Sequence, residues 1–80
     1  MNLASFAYFI VLAQERNFTR AAQQLHITQQ SLSSQISLLE KELGATLIVR
    51  HVPLELTYAG KVFLRHAKTV QHAVENMRRE

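Results

Sequence analysis

Hydrophobic side chains return every three or four residues along most of the chain, a spacing that predicts helices. The first predicted helix covers residues 3–15. Its apolar face shares four side chains: Leu3, Phe6, Ile10 and Ala13. Thr19 is expected to cap a second helix over residues 20–25, and Thr28 a third over residues 29–43, because threonine oxygens accept hydrogen bonds from free amides at a helix start.

A short two-stranded element is expected after the third helix. Gly44 is placed to end that helix, since glycine readily adopts the left-handed conformation found there. Residues 46–50 are rich in β-branched side chains and predict a strand. Pro53 interrupts the chain, and residues 55–57 can form the returning strand. The predicted fold is therefore mainly α, with a three-helix core and a short β-wing.

A long fourth helix is expected over residues 58–80, with Thr57 as its N-cap. At about 1.5 Å per residue it is roughly 34 Å long. Five apolar side chains form a heptad-like seam along it: Phe63, Ala67, Val70, Val74 and Met77. Such a seam suits pairing with a second helix. Phe63 is equally suited to packing on its own domain, whereas the seam beyond Val70 favours a homodimer.

The third helix carries two contrasting faces. An apolar stripe faces the core and consists of Leu32, Ile36, Leu39 and Leu43. The opposite stripe is polar and consists of Gln30, Ser34, Ser37 and Lys41, flanked by Ser31 and Ser33. Two helices joined by a brief turn, the second with such a polar front, indicate a helix-turn-helix over about residues 18–37. The front of its second helix reaches base edges, where glutamine can pair with adenine N6 and N7.

The alternative is a polar face that is only solvated. Solvent-facing helix positions are usually filled by glutamate, lysine and arginine, which are good helix formers. Four serines on this helix lower its stability without any gain in packing. This composition, together with the preceding short helix and the strand pair, favours a base-reading surface.

Charge and composition narrow the classes of function. The chain has 80 residues, enough for one small domain, and a formal net charge of +3. Residues 1–58 are neutral overall, so the whole excess lies in residues 59–80. This modest positive charge permits a nucleic-acid partner without requiring one.

Catalysis, metal binding and membrane insertion are all disfavoured. The chain has no cysteine, and its four histidines are scattered. No histidine and carboxylate pair accompanies the serines as a nucleophile would require, so no enzyme and no metal site is expected. The longest apolar run, residues 6–13, is far shorter than the ~20 residues that span a bilayer. With no cysteine and no secretion signal, a cytoplasmic protein is expected.

The stretch FTRAAQQLHITQQSLSSQISLLEKELGATLIVR, residues 18–50, resembles the N-terminal region of LysR-type transcriptional regulators. The resemblance rests on the spacing of Phe18-Thr19-x-Ala21-Ala22, Leu25-x-Ile27-Thr28-Gln29, Leu32-Ser33-x-Gln35-Ile36, Leu39-Glu40, Glu42-Leu43-Gly44, Leu47, Arg50 and Leu56-Thr57-x-Ala59-Gly60. It implies a winged helix-turn-helix over residues 1–58 that binds double-stranded DNA, followed by a linker and dimerisation helix over residues 59–80.

The resemblance and the polar face together predict the DNA-contacting residues. Base reading is expected from Gln29, Gln30, Ser33, Ser34 and Ser37. Contacts to the DNA backbone are expected from Thr19, Arg20, Thr28, Ser31, Gln35, Arg50 and His51. Dimerisation is assigned to the seam of the fourth helix.

Several positions depart from the family pattern. Gln30 stands where the family usually has proline, and Ser34 and Ser37 stand where basic residues are common. Ile48 replaces a usual phenylalanine, and residues 51–55 lack the usual basic side chains of the wing. We therefore expect reading by hydrogen bonds and few charge-neutralising phosphate contacts.

The resemblance also implies parts that lie outside this chain. A ligand-sensing domain that binds a small-molecule effector is expected in the full-length protein, which would form a homodimer or a tetramer. No cofactor is expected in the DNA-binding domain itself. A helical dimerisation module that binds no DNA is the alternative function.

Overall fold

The computed structural model describes all residues, 1–80, and consists of four helices and one two-stranded sheet. In chain order the elements are α1 (Leu3–Glu15), α2 (Phe18–Leu25), α3 (Gln29–Leu43), β1 (Ile48–Val49), β2 (Glu55–Leu56) and α4 (Tyr58–Arg79). The strands are antiparallel, with Ile48 opposite Leu56 and Val49 opposite Glu55. The predicted three-helix core with a short wing and a long last helix is confirmed.

Side-chain caps fix where α3 and α4 begin. The side chain of Thr28 accepts a hydrogen bond from the amide of Ser31, and that of Thr57 accepts one from the amide of Gly60. Gly44 follows α3 in the left-handed conformation, with φ of 66°. The caps predicted at Thr28, Gly44 and Thr57 are therefore confirmed.

The predicted start of α2 is wrong. Arg16 adopts a left-handed conformation, with φ of 54°, and ends α1 as its C-cap. Asn17 is then extended, and its side chain caps α2 by accepting from the amide of Arg20. Thr19 lies within the first turn of α2, so its hydroxyl remains available for another partner.

The core lies where α1, α2 and α3 meet the wing. Its buried side chains are Phe9, Leu12, Ala21, Ala22, Leu32, Ile36, Leu39, Leu47, Ile48 and Leu54. Two residues that the helical spacing assigned to the core are instead exposed: Leu3 by 57% and Leu43 by 39%. Leu3 begins α1 and Leu43 ends α3, so each extends past the elements that cover its neighbours.

The strands are shorter than predicted, with two residues in each. The amide of Thr57 donates to the carbonyl of Leu47, which continues the same antiparallel register one pair beyond the strands. Between the strands, Leu54 is buried and its amide donates to the carbonyl of Arg16. The wing is thereby attached to the turn that joins α1 and α2.

Helix α4 packs along α1, which is the most extensive contact between two elements. The Phe63 ring stacks on Phe6 with centroids 5.7 Å apart and meets the edge of Phe9 at 5.1 Å. Ala67 is fully buried. The first half of α4 is thus held against the core. None of the helices is both long enough and apolar enough to cross a membrane.

Candidate nucleic-acid interface

The outward face of α3 is polar because its opposite face supplies the core. Leu32, Ile36 and Leu39 are at most 1% exposed and hold the helix in place. Turned away from them are exposed side chains of Thr28, Gln29, Gln30, Ser31, Ser34 and Ser37, whereas Ser33 and Gln35 are half-buried. The predicted base-reading residues therefore share one side of the molecule, with Ser33 at its inner edge.

The first turn of α2 contacts the front of α3 through a side-chain hydrogen bond. The Oγ1 hydroxyl of Thr19 donates to Oε1 of Gln29 at 3.0 Å. Arg20, the next residue, is exposed. The N-terminal turn of α2 lies beside that of α3. Thr19, a predicted contact to the DNA backbone, is therefore bonded directly to Gln29, a predicted contact to a base.

Arg50 lies just after β1 and extends across α3. Its Nη1 donates to Oγ of Ser33 at 3.2 Å, and its Nη2 donates to Oγ of Ser37 at 3.1 Å. Nη2 also forms a salt bridge with Oε1 of Glu40 at 3.1 Å. The guanidinium carbon lies 5.1 Å from the centre of the Phe18 ring, a cation–π distance. The residue that the resemblance assigns to the DNA backbone is thus engaged within the protein.

Glu40 joins α3 to the wing, a role that the sequence did not reveal. Its Oε2 accepts hydrogen bonds from the amides of Leu47 at 2.7 Å and Ile48 at 3.3 Å. Its side chain is only 16% exposed. One carboxylate thus binds two amides and one guanidinium. The available signal was its place in the family spacing, next to Leu39, although that spacing gives no partner.

A polar cleft lies between the turn after α1 and the wing. Thr19, Gln29, Arg50 and His51 line it together with Arg16. Arg16, which ends α1 in the left-handed conformation, was not among the predicted site residues. The structure thus collects cationic and amide side chains beside the front of α3.

The wing itself carries little free positive charge. Nδ1 of His51 lies 2.9 Å from the carbonyl oxygen of Pro53, and since a carbonyl only accepts, Nδ1 is the donor. Nε2 of His51 lies 3.7 Å from Oε2 of Glu55. Val52 at the tip is 90% exposed. The wing can therefore present backbone groups and an apolar side chain to a partner.

The predicted dimerisation seam is divided by its contacts. Ala67 has no exposed surface and Phe63 packs on Phe6 and Phe9, so the expectation that Ala67 faces a second chain is wrong for this conformation. Helix α1 covers that part of the seam. Further along, half-buried Val70 and Val74 line an open groove with the first turns of α1, and Met77 is 66% exposed.

No three histidine, aspartate or glutamate side chains approach one another closely enough to hold a metal ion.

The arrangement of α2, turn and α3, followed by a β-wing, defines a winged helix-turn-helix. The family model of the bacterial regulatory helix-turn-helix proteins of the LysR family matches residues 3–61. The chain therefore belongs to the LysR family, as its helix-turn-helix DNA-binding domain.

Curated relatives are similar over nearly the whole chain. A probable cat1 operon transcriptional activator from Acinetobacter lwoffii is 51% identical over 78 residues, which are 96% of this chain and 26% of the relative. The regulator CatR from Pseudomonas putida is 51% identical over 82 residues, covering 99% of this chain and 28% of its own length. The chain thus spans about a quarter of the length of these relatives.

Solved structures include similar domains bound to DNA. The BenM DNA-binding domain in complex with catB site 1 DNA is 38% identical, with a TM-score of 0.93 over 96% of this chain and 84% of that one. The CbnR DNA-binding domain in its DNA complex is 33% identical, with a TM-score of 0.92 over 96% of this chain and 90% of that one. The fold described here is therefore similar to those of two DNA-binding domains whose structures were solved with DNA bound.

Proposed function

We propose that this chain is the sequence-specific operator-binding part of a transcription regulator, with the front of α3 in the major groove. The observation that carries the proposal is the exposed glutamine and serine face of α3, turned opposite its buried leucine stripe. Arg16, Arg20 and the wing flank that face and can meet the DNA backbone. Similarity to the two DNA complexes, with TM-scores of 0.93 and 0.92, supports DNA binding by this fold.

We further propose that two copies bind a two-fold site through α4. The groove beside Val70 and Val74 and the exposed Met77 offer an apolar surface beyond the reach of the core. A symmetric dimer places two reading helices on two half-sites of a pseudo-palindromic operator. This surface is smaller than the predicted seam, because Phe63 and Ala67 are already covered.

We also propose that the full-length protein contains a second domain, which binds a small-molecule effector. The chain spans about a quarter of the matched regulators, which leaves room for a much larger second part. A regulator of transcription that binds DNA would act in the bacterial cytoplasm. Catalysis has no role in this proposal.

The double substitution of Gln29→Ala with Ser33→Ala is expected to weaken specific binding by about 10- to 100-fold, since each lost hydrogen bond contributes about 0.5–1.5 kcal/mol. The measurement is fluorescence anisotropy with a duplex that this chain selects from a random pool. The control pair is Gln14→Ala with Thr69→Ala, two exposed positions on α1 and α4.

Sedimentation of the same variants separates binding from assembly. The dimer should persist in both pairs, because neither touches the groove on α4. Unchanged specific affinity in the Gln29 and Ser33 variant would contradict base reading by these two residues. A wild-type chain that dimerises but selects no duplex would favour the rival function, an interaction module without DNA. A wild-type chain that sediments as a monomer at micromolar concentration would contradict the proposed dimer.

Salt should weaken binding only modestly. Arg50 is paired with Glu40, and His51 lies beside Glu55, so Arg16 and Arg20 are the principal cations left for phosphates. Two neutralised phosphates per half-site give a slope of about −2 in log affinity against log salt, because each releases about 0.9 counterion. Ser34→Arg, which restores a common family residue, should steepen this slope by about 1. A wild-type slope near −5 per half-site would contradict the expectation.

A further inference from the structure

We propose that the exposed polar side of α3, here called the reading face, presents mainly hydrogen-bond donors to DNA. It should therefore select base edges that are rich in acceptors. The positions concerned are Gln29, Ser33 and Ser37, whose oxygens are already engaged within the protein. The edges they fit are guanine N7 and O6 and thymine O4, in preference to the amino groups of adenine and cytosine. This inference rests on the proposed function and adds its base preference.

Gln29 carries the first half of the argument. Glutamine recognises adenine with two bonds, in which Oε1 accepts from N6 and Nε2 donates to N7. Here Oε1 already accepts from the hydroxyl of Thr19, at 3.0 Å. The carboxamide is planar, so turning the oxygen toward α2 leaves the NH2 group as the free end. The Thr19 hydroxyl takes one of the two lone pairs of Oε1, whereas both N–H groups of Gln29 remain unbonded. Gln29 in this conformation therefore favours donation over the bidentate adenine pattern.

Ser33 and Ser37 carry the second half. Each Oγ accepts an N–H of the Arg50 guanidinium, at 3.2 and 3.1 Å. Each hydroxyl hydrogen has no acceptor within the chain and is free to donate. The adjacent positive charge makes approach of a further donor unfavourable and approach of an acceptor favourable. Both serines are thus presented to a ligand as donors.

The donor bias of these side chains exists in the DNA-free protein, because Thr19 and Arg50, which bond to their oxygens, are fixed by other contacts. Glu40 and the Phe18 ring fix the guanidinium from two sides. Thr19 lies in the first turn of α2, packed beside α3. Thr19 and Arg50 are therefore positioning residues, which act on base choice through the side chains they orient.

Gln30 provides an internal contrast. It is exposed at the front of the same helix, and its carboxamide forms no hydrogen bond within the chain. It keeps both its donor and its acceptor and can still recognise adenine by the bidentate pattern. The donor bias belongs to individual positions, so it is measurable position by position.

The experiment uses the 80-residue chain and duplexes that it selects from a random pool. The base pair that depends on Gln29 is the one whose identity no longer matters in Gln29→Ala. Affinity is then measured by anisotropy with each of the four bases there. Guanine, which offers N7 and O6, should bind about 3- to 10-fold more tightly than adenine, whose only acceptor there is N7, the size of one hydrogen bond. Thymine, which offers O4, should bind more tightly than cytosine, whose edge offers only the N4 donor. Where guanine is preferred, 7-deazaguanine, which lacks the N7 acceptor, should lose a similar factor.

Two substitutions at Thr19 isolate the mechanism. Thr19→Val removes the hydroxyl at nearly constant shape and frees Oε1 of Gln29, so adenine should gain several-fold relative to guanine. Thr19→Ser keeps a hydroxyl and should keep the wild-type ranking. Circular dichroism confirms that both variants are folded. Loss of packing alone cannot reverse a base ranking, so the ranking reports on the orientation of Gln29.

The outcomes separate this inference from the function beneath it. Specific binding with adenine preferred at the Gln29 position, or identical rankings for the valine and serine variants, overturns the donor bias alone. A chain that binds no duplex specifically overturns the proposed function and this inference together. The predicted ranking, its shift in Thr19→Val and its retention in Thr19→Ser support the inference.

Discussion

Gly60→Ala is expected to destabilise the domain severely. A Cβ atom at position 60 would lie 2.1 Å from the carbonyl oxygen of Leu47, a backbone atom that cannot rotate away. That same carbonyl accepts the amide of Thr57, so moving it also disturbs the start of α4. We expect a loss of about 3 kcal/mol or more, a large share of the stability of a small domain. Urea denaturation at fixed protein concentration measures it.

Gly44→Ala is the matched control for this substitution. Gly44 has φ of +66°, but no atom lies within 4 Å of the position of its Cβ. Alanine there pays only for the left-handed conformation, about 1 kcal/mol. The contrast therefore tests steric contact against conformational preference. Equal losses at the two glycines would contradict the close approach of α4 to the chain before β1.

The sequence predicts well those features whose causes lie within a few residues. Thr28 and Gly44 mark the ends of α3 because a cap is a contact between near neighbours. The apolar stripe of Leu32, Ile36 and Leu39 needs only helical spacing to be recognised. The polar reading face follows from the same spacing, since it is the opposite side of that helix.

The missed features depend on residues distant in sequence. Whether Ala67 faces a partner or its own domain depends on where α1 lies, which helical spacing along α4 cannot reveal. Thr19 looked like a cap because its residue type suits one, yet Asn17 serves better once Arg16 turns into the left-handed region. In both places several positions were compatible with the local pattern, and tertiary packing selected one.

The role of Arg50 was the hardest to predict for a chemical reason. An arginine near a DNA-binding helix can bind a DNA phosphate or a protein carboxylate, since the oxygens of either anion can accept two N–H groups of the guanidinium. Its partners Ser33, Ser37 and Glu40 are separated from it by 17, 13 and 10 residues. The sequence shows the cation but not which acceptors reach it. Because Arg50 bonds to these three side chains, the reading face is expected to bind DNA through the oriented hydroxyls of Ser33 and Ser37 and not through the charge of Arg50.

Glu40→Ala is expected to damage both stability and DNA binding. The substitution removes the acceptor for the amides of Leu47 and Ile48, two residues that are 1% and 2% exposed. It also leaves Arg50 without its carboxylate. Buried donors without partners cost about 1–3 kcal/mol each, so a total loss of about 2–6 kcal/mol is expected from urea denaturation for the two amides. Specific DNA affinity should fall at least about 10-fold, because Ser33 and Ser37 lose their oriented donor.

Two further variants distinguish these effects. Glu42→Ala removes a carboxylate that is 38% exposed and contacts only the N-terminal amine, so it should change stability by less than about 1 kcal/mol. Glu40→Gln keeps an oxygen for the two amides but faces Arg50 with no charge. It should therefore restore most of the stability while base selectivity at the serine positions stays weakened. If Glu40→Ala and Glu42→Ala unfold at the same urea concentration, the carboxylate is not what holds the wing to α3, and Phe18, Ser33 and Ser37 must orient Arg50.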